Sequence, residues 1–131
     1  MECFSRQLKK AVEEGKFHGI KFATETVITH LFFVDDVLIL DIGKFKDWMY
    51  FQYILTIFFL ASGMDVNCHK SCFLAQNIDS SLEQRMQATF NIQFVSINEG
   101  MKYMGFYIKP NNYRVADWKW LIQKVEKRIG N

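Results

Sequence analysis

The sequence predicts an α+β fold, and three observations carry that prediction. Four segments are patterned as helices, at 2–14, 46–61, 80–90 and 118–129. Between them lie short runs rich in aromatic and β-branched residues, at 31–34, 37–40 and across 93–108. The chain has 131 residues, of which 50% are hydrophobic and 16% aromatic, enough for one small domain with a core and too apolar for disorder.

In the first segment, Phe4, Leu8, Ala11 and Val12 share one helical face while Arg6, Lys9, Lys10 and Glu13 lie off it, and Gly15 supplies a stop. Residues 17–22 then cross toward a hairpin, with Gly19 as the pivot. The runs 31–34 and 37–40 contain no Gly or Pro and read as two buried strands, so the tip of their hairpin carries Asp35 and Asp36. The tip lacks the Asn-Gly or Asp-Gly pair that favours two-residue turns. A tip held for metal binding tolerates such strain.

The stretch 48–61 is the most apolar of the chain, interrupted only by Gln52 and Thr56 and stopped by Gly63. Such a helix is either buried on all sides or lies in a membrane. A spanning helix needs about 20 apolar residues. Asp47 and Asp65 bound this run below that, so a core helix is expected and a small membrane-associated protein is the weaker alternative. Asp79 or Ser80 opens the 80–90 helix, with Glu83 completing a capping pattern. After the β segment 93–108, Asp117 caps the last helix. Trp118, Leu121, Ile122, Val125 and Ile129 mark its apolar face, and Lys119, Lys124, Lys127 and Arg128 lie off that face.

Net charge is +2 and excludes neither nucleic acid nor other partners, but its distribution is uneven. Residues 1–101 hold 9 Lys/Arg against 12 Asp/Glu, a net of −3, and residues 102–131 hold 7 against 2, a net of +5. An acidic body followed by a basic tail suits a protein that holds metal in one place and phosphate backbone in another. A solvated charged face is the plain alternative for the last helix. Three cysteines, Cys3, Cys68 and Cys72, are too few and too odd in number for a disulfide framework. With a polar, charged N-terminus and no secretory signal, an intracellular protein is expected, nuclear or cytoplasmic. Cys68-His69-x-x-Cys72 offers three zinc-type donors without the second pair that structural zinc sites require. His18 and His30 read more simply as hydrogen-bonded histidines than as ligands.

Asp35 and Asp36 are the chemically pointed feature. Ionised acids rarely sit in apolar surroundings without a partner. Two carboxylates about 6 Å apart repel by roughly 3 kcal/mol at an effective dielectric of about 20. A divalent cation relieves that repulsion, and Mg²⁺ favours carboxylate oxygens together with phosphate. An ordinary solvated turn is the competing reading, because Asp is a common turn residue.

Phe33-Val34-Asp35-Asp36 resembles the aromatic-x-Asp-Asp box of reverse transcriptases, above all the LINE-type (non-LTR) retrotransposon enzymes abundant in plants, where Ala usually replaces Val34. Three further segments resemble that family in its order. The run 1–11 is similar to the middle of its palm helix, with Phe17-His18-Gly19-Ile20-Lys21 similar to its approach to the hairpin. Ser62-Gly63-x-x-Val66-Asn67-x-x-Lys70-Ser71 is similar to the segment after the second palm helix. Lys102-Tyr103-Met104-Gly105 resembles its Lys-Tyr-Leu-Gly hairpin near the primer end, and 118–129 its first thumb helix.

The resemblance implies a partial reverse-transcriptase palm over 1–109, an antiparallel sheet with helices on one face, followed by the start of a thumb-like segment over 110–131. It implies RNA-templated DNA synthesis by the parent enzyme, with RNA template and DNA primer as partners. Mg²⁺ would be held by Asp35 and Asp36. Lys70 would assist departure of pyrophosphate, or stand as a solvated strand lysine. Lys102, Tyr103, Gly105, Lys119, Lys124, Lys127 and Arg128 would contact nucleic acid, or form an ordinary edge strand and a solvated helix. The family's palm also has a catalytic Asp on an earlier strand, and fingers that bind template and nucleotide. Neither is expected in these 131 residues, so the chain should be inactive alone and the rest of the palm is a candidate partner. The 46–61 helix is more apolar than its counterpart. The alternative function is a non-catalytic nucleic-acid- or partner-binding relic.

Overall fold

The computed structural model describes residues 1–109 and 113–130. Residues 110–112, where the expected thumb-like segment begins, and Asn131 lie outside the described residues. The fold is α+β. Helix α1 (Glu2–Glu13) leads into two short strands, β1 (Ile20–Lys21) and β2 (Val27–Ile28). Next come β3 (His30–Phe33), β4 (Asp36–Ile39) and the long helix α2 (Phe45–Ser62). Strand β5 (Cys72–Leu74), helix α3 (Ser80–Phe90) and strand β6 (Gln93–Val95) follow. The hairpin strands β7 (Met101–Tyr103) and β8 (Phe106–Ile108) precede helix α4 (Val115–Ile129).

The core lies where α1 crosses α2. Phe4, Leu8 and Ala11, from the predicted apolar face of α1, are buried with Phe17, Phe51 and Ile54. Aromatic rings dominate: Phe4 packs 5.0 Å from Phe58, 5.9 Å from Phe32 and 6.1 Å from Phe51, centroid to centroid. Burying each such ring is worth about 1.5–3 kcal/mol, which anchors the β3–β4 hairpin through Phe32. Gly19 is required by close approach: a Cβ there would lie 2.4 Å from the Ile28 carbonyl oxygen.

Several expectations need correction. In place of one antiparallel sheet, the described strands form four separate two-stranded ribbons. Three are antiparallel, but β5 and β6 pair in parallel. The reason is connectivity, since α3 between them provides the crossover that parallel pairing needs. The hairpin strands were expected to be buried, yet Leu38 is their one buried residue, and Leu31 and Phe33 are about half exposed. Exposure rises toward the turn: Leu38 and Leu31 pair across the ribbon and only Leu38 is covered, while Phe33 and Asp36 at the turn end are exposed.

Helix α2 is likewise not enclosed. It buries Asp47, Phe51 and Ile54, while Leu60 is 83% exposed and Tyr53 58%. Its polar interruptions do not make a polar face. The Thr56 hydroxyl donates to the Gln52 carbonyl and the Ser62 hydroxyl to that of Phe58. Among the described residues, no helix is long and apolar enough to cross a membrane.

The α3 start is as expected, with the Asp79 carboxylate accepting from Leu82 N at 2.8 Å. The α4 start is not. The helix begins at Val115, so Asp117 sits inside its first turn and accepts from Arg114 N at 2.6 Å. No residue of α4 is buried. Its attachment runs through an edge-on Phe106–Trp120 contact and a 2.8 Å Lys109–Asp117 ion pair.

Candidate functional site

The β3–β4 hairpin pairs Phe33 with Asp36, so Val34 and Asp35 alone form the turn. Asp36 is therefore a strand residue, which corrects the expectation that both acids sit at the tip. Val34 has φ +57°. A β-branched residue in that region is a backbone outlier, and such strain persists where surrounding structure imposes it. Side chains alternate across the ribbon. Phe32 and Ile39 pack on the core, while Phe33 and Asp36 share the opposite face.

Two other segments come to that face. Asn67 accepts the Lys70 backbone N–H at both its carbonyl, 3.0 Å, and its side-chain oxygen, 3.2 Å. This is why the Val-Asn-x-x-Lys spacing matters: the asparagine folds the turn that carries Lys70. Lys70 is thus a turn residue and not part of a strand. The β7–β8 hairpin turns on Met104 and Gly105, both with positive φ, at +52° and +85°. That is the pattern of the turn whose twist matches paired strands. Its base is tight, since a Cβ on Gly100 would meet the Ile108 carbonyl oxygen at 2.6 Å.

Together they line an open cleft of about 600 Å³ bounded by Phe33, Asp36, Lys70, Lys102, Met104 and Gly105. Asp36, Lys70, Lys102 and Gly105, each singled out from sequence, thereby meet in one place. One carboxylate facing two ammonium groups leaves the cleft cationic, which suits an anion better than a bare metal ion. Asp35 is exposed on the turn beside it. Tyr103 is half-buried and donates its hydroxyl to the Leu31 carbonyl at 3.4 Å. Burial, and then the charge of Asp36, raise its phenol above the ordinary value. Lys119, Lys124, Lys127 and Arg128 are exposed on α4 and do not line the cleft.

Among the described residues, no three His, Cys, Asp or Glu side chains gather as a metal-binding group. Asp35 and Asp36 make no ion pair with the described residues. Mg²⁺ takes hard oxygen donors, keeps several waters and is bound through one or two carboxylates plus substrate phosphate. Two exposed, adjacent carboxylates beside a cationic cleft fit that requirement.

The histidines have other duties. His30 Nε2 lies 2.7 Å from Ser5 Oγ and Nδ1 2.7 Å from Thr29 Oγ1. Burial, and then Lys9, hold His30 below its ordinary value, favouring the neutral ring. His18 Nδ1 lies 2.6 Å from Asp47 Oδ2, which also accepts the His18 backbone N–H. Sequence reasoning took Asp47 only as a polar boundary of α2. The available signal was its place in the first turn, where a carboxylate is favoured by the helix dipole.

No protein-family model matches the chain, and no curated protein matches it.

Proposed function

We propose that the chain carries the acid-hairpin part of a reverse-transcriptase palm and the start of a thumb, of the non-LTR retrotransposon type. The observation that supports this most is the cleft. Three sequence segments that resemble the family in order are also the three that bring Asp36, Lys70 and Lys102 together.

In this reading the reaction is nucleotidyl transfer. The primer 3′-hydroxyl gives its proton to solvent water, its oxygen bonds to the nucleotide α-phosphorus, the bond from that phosphorus to the bridging oxygen breaks, and pyrophosphate leaves. Asp35 and Asp36 would hold Mg²⁺ through oxygen ligands from the turn and the adjoining strand, and the ion would supply charge neutralisation at the transferring phosphate. Lys70 neutralises the departing pyrophosphate or gives it a proton. Lys102 and Gly105 hold backbone phosphate at the cleft rim, and the α4 cations follow the duplex. Two carboxylates are one short of the family's set, and the chain offers no nucleotide pocket among its described residues.

Losing half of the roughly 7–11 kcal/mol that orientation can supply slows a reaction by several hundred-fold to about ten-thousand-fold. Extension of a labelled DNA primer on an RNA template with Mg²⁺ and nucleotides should therefore match buffer. Extension that vanishes on Asp35→Asn, Asp36→Asn substitution would show that 131 residues suffice as a polymerase.

A second reading, a non-catalytic nucleic-acid-binding module, is favoured by α4. Four cations stand exposed on a helix that buries nothing. Nucleic-acid affinity with no metal response at the hairpin would select it.

A further inference from the structure

The cleft has a mechanical weakness. Phe33 and Asp36 belong to one two-stranded ribbon, and Lys102, Met104 and Gly105 to another that shares no strand with it. Among the described residues, one hydrogen bond joins the two ribbons, from the Tyr103 hydroxyl to the Leu31 carbonyl. The close approach at Gly100 lies within the β7–β8 hairpin and the Lys109–Asp117 pair joins that hairpin to α4, so neither ties it to β3–β4. Tyr103 stands beside Lys102 on β7, next to the turn that lines the cleft.

We propose that Tyr103 is a positioning residue: its hydroxyl ties β7–β8 to β3 and so holds the Lys102 ammonium on the cleft rim opposite Asp36, ready for a phosphate group, for which inorganic pyrophosphate is the soluble probe. This assigns Tyr103 a duty other than stacking on a base or sugar, and it rests on the cleft reading above. At 3.4 Å the bond is longer than the common 2.7–2.8 Å for a hydroxyl donor. Tyr103 acts through Lys102 and not through Lys70, which stands on a separate turn.

The test is the affinity of the full chain for inorganic pyrophosphate, with and without Mg²⁺. Tyr103→Phe keeps the ring and removes the tie, and amide shifts should change only around 31–33 and 101–107. The expected loss is about five-fold, equivalent to about 1 kcal/mol. In a Lys102→Ala background the same change should cost less than about two-fold, because its target is gone. In a Lys70→Ala background the five-fold loss should persist. A purely structural tyrosine would weaken both backgrounds alike. Unchanged binding in Tyr103→Phe, or an equal loss in both backgrounds, overturns the inference and leaves the cleft reading intact. Failure of the unsubstituted chain to bind pyrophosphate overturns both.

Discussion

The carboxylate of Asp47, 3% exposed at the start of α2, accepts from His18 twice: from the backbone N–H at 2.9 Å and from ring Nδ1 at 2.6 Å. The residues are 29 apart in sequence, and the contact pins the strand approach to the long helix on which the core is built. Removing the acceptor leaves two part-buried His18 donors without their partner. Asp47→Ala should cost about 1.5–3 kcal/mol, the range for hydrogen bonds to charged groups. Asp47→Asn, which keeps one acceptor, should cost less. Equilibrium denaturation would measure both, and an Asp47→Ala variant within 0.5 kcal/mol of the parent, on the order of ordinary surface changes, would remove the clasp from the account.

His30 makes stability depend on pH. Its folded value lies below 6.5 because of burial and then Lys9. In the window just under 6.5 the unfolded chain therefore binds more protons than the folded one, so His30's contribution is complete above that window and is lost as pH falls. Asp41 works the other way. Burial raises its carboxyl above 3.8, so its contribution is present at low pH and is lost as pH rises through the folded value. Denaturation midpoints between pH 7.5 and about 5 should fall less steeply in His30→Gln than in the parent. Parallel curves would contradict this.

Val34 combines φ +57° with 79% exposure, so it adds backbone strain and little packing. Val34→Gly should stabilise the chain by about 1 kcal/mol, since glycine reaches that region without steric cost. A loss of stability would mean that the valine side chain has a structural partner after all.

Much of this was legible in the sequence. All four helices were readable from period and stop signals, because Gly63 and Asp79 mark ends by chemistry that acts locally. The hairpin was readable too, though its register was not. Both strands read as unbroken apolar runs, with no alternation to say which residues pair across the turn. Long-range polar contacts were the blind spot. Nothing near Asp47 in the sequence points to His18, and nothing near Tyr103 points to Leu31. The exposure of α2 and α4 was hidden for the same reason. An apolar face can be read from spacing, but what covers it cannot.

The α4 cations make a prediction about salt. Replacing Lys119, Lys124, Lys127 and Arg128 by Ala should weaken binding to single strands and duplexes of any sequence. It should also reduce the slope of log affinity against log salt by about 3, near the value for four lost phosphate contacts. Filter binding across a salt series would show it. An unchanged slope would move nucleic-acid contact away from α4.

The most direct test of the account is Mg²⁺ titration of the chain, followed by backbone amide shifts. Residues 34–37 should respond at millimolar metal, because Asp35 and Asp36 lie there on a turn and the strand that continues it. The response should extend to Lys102 and Gly105 when pyrophosphate is added. It should be lost in Asp35→Asn, Asp36→Asn. A chain whose 34–37 amides stay unmoved at millimolar Mg²⁺, with or without pyrophosphate, would contradict the reading of this hairpin as a metal-binding site for phosphoryl transfer.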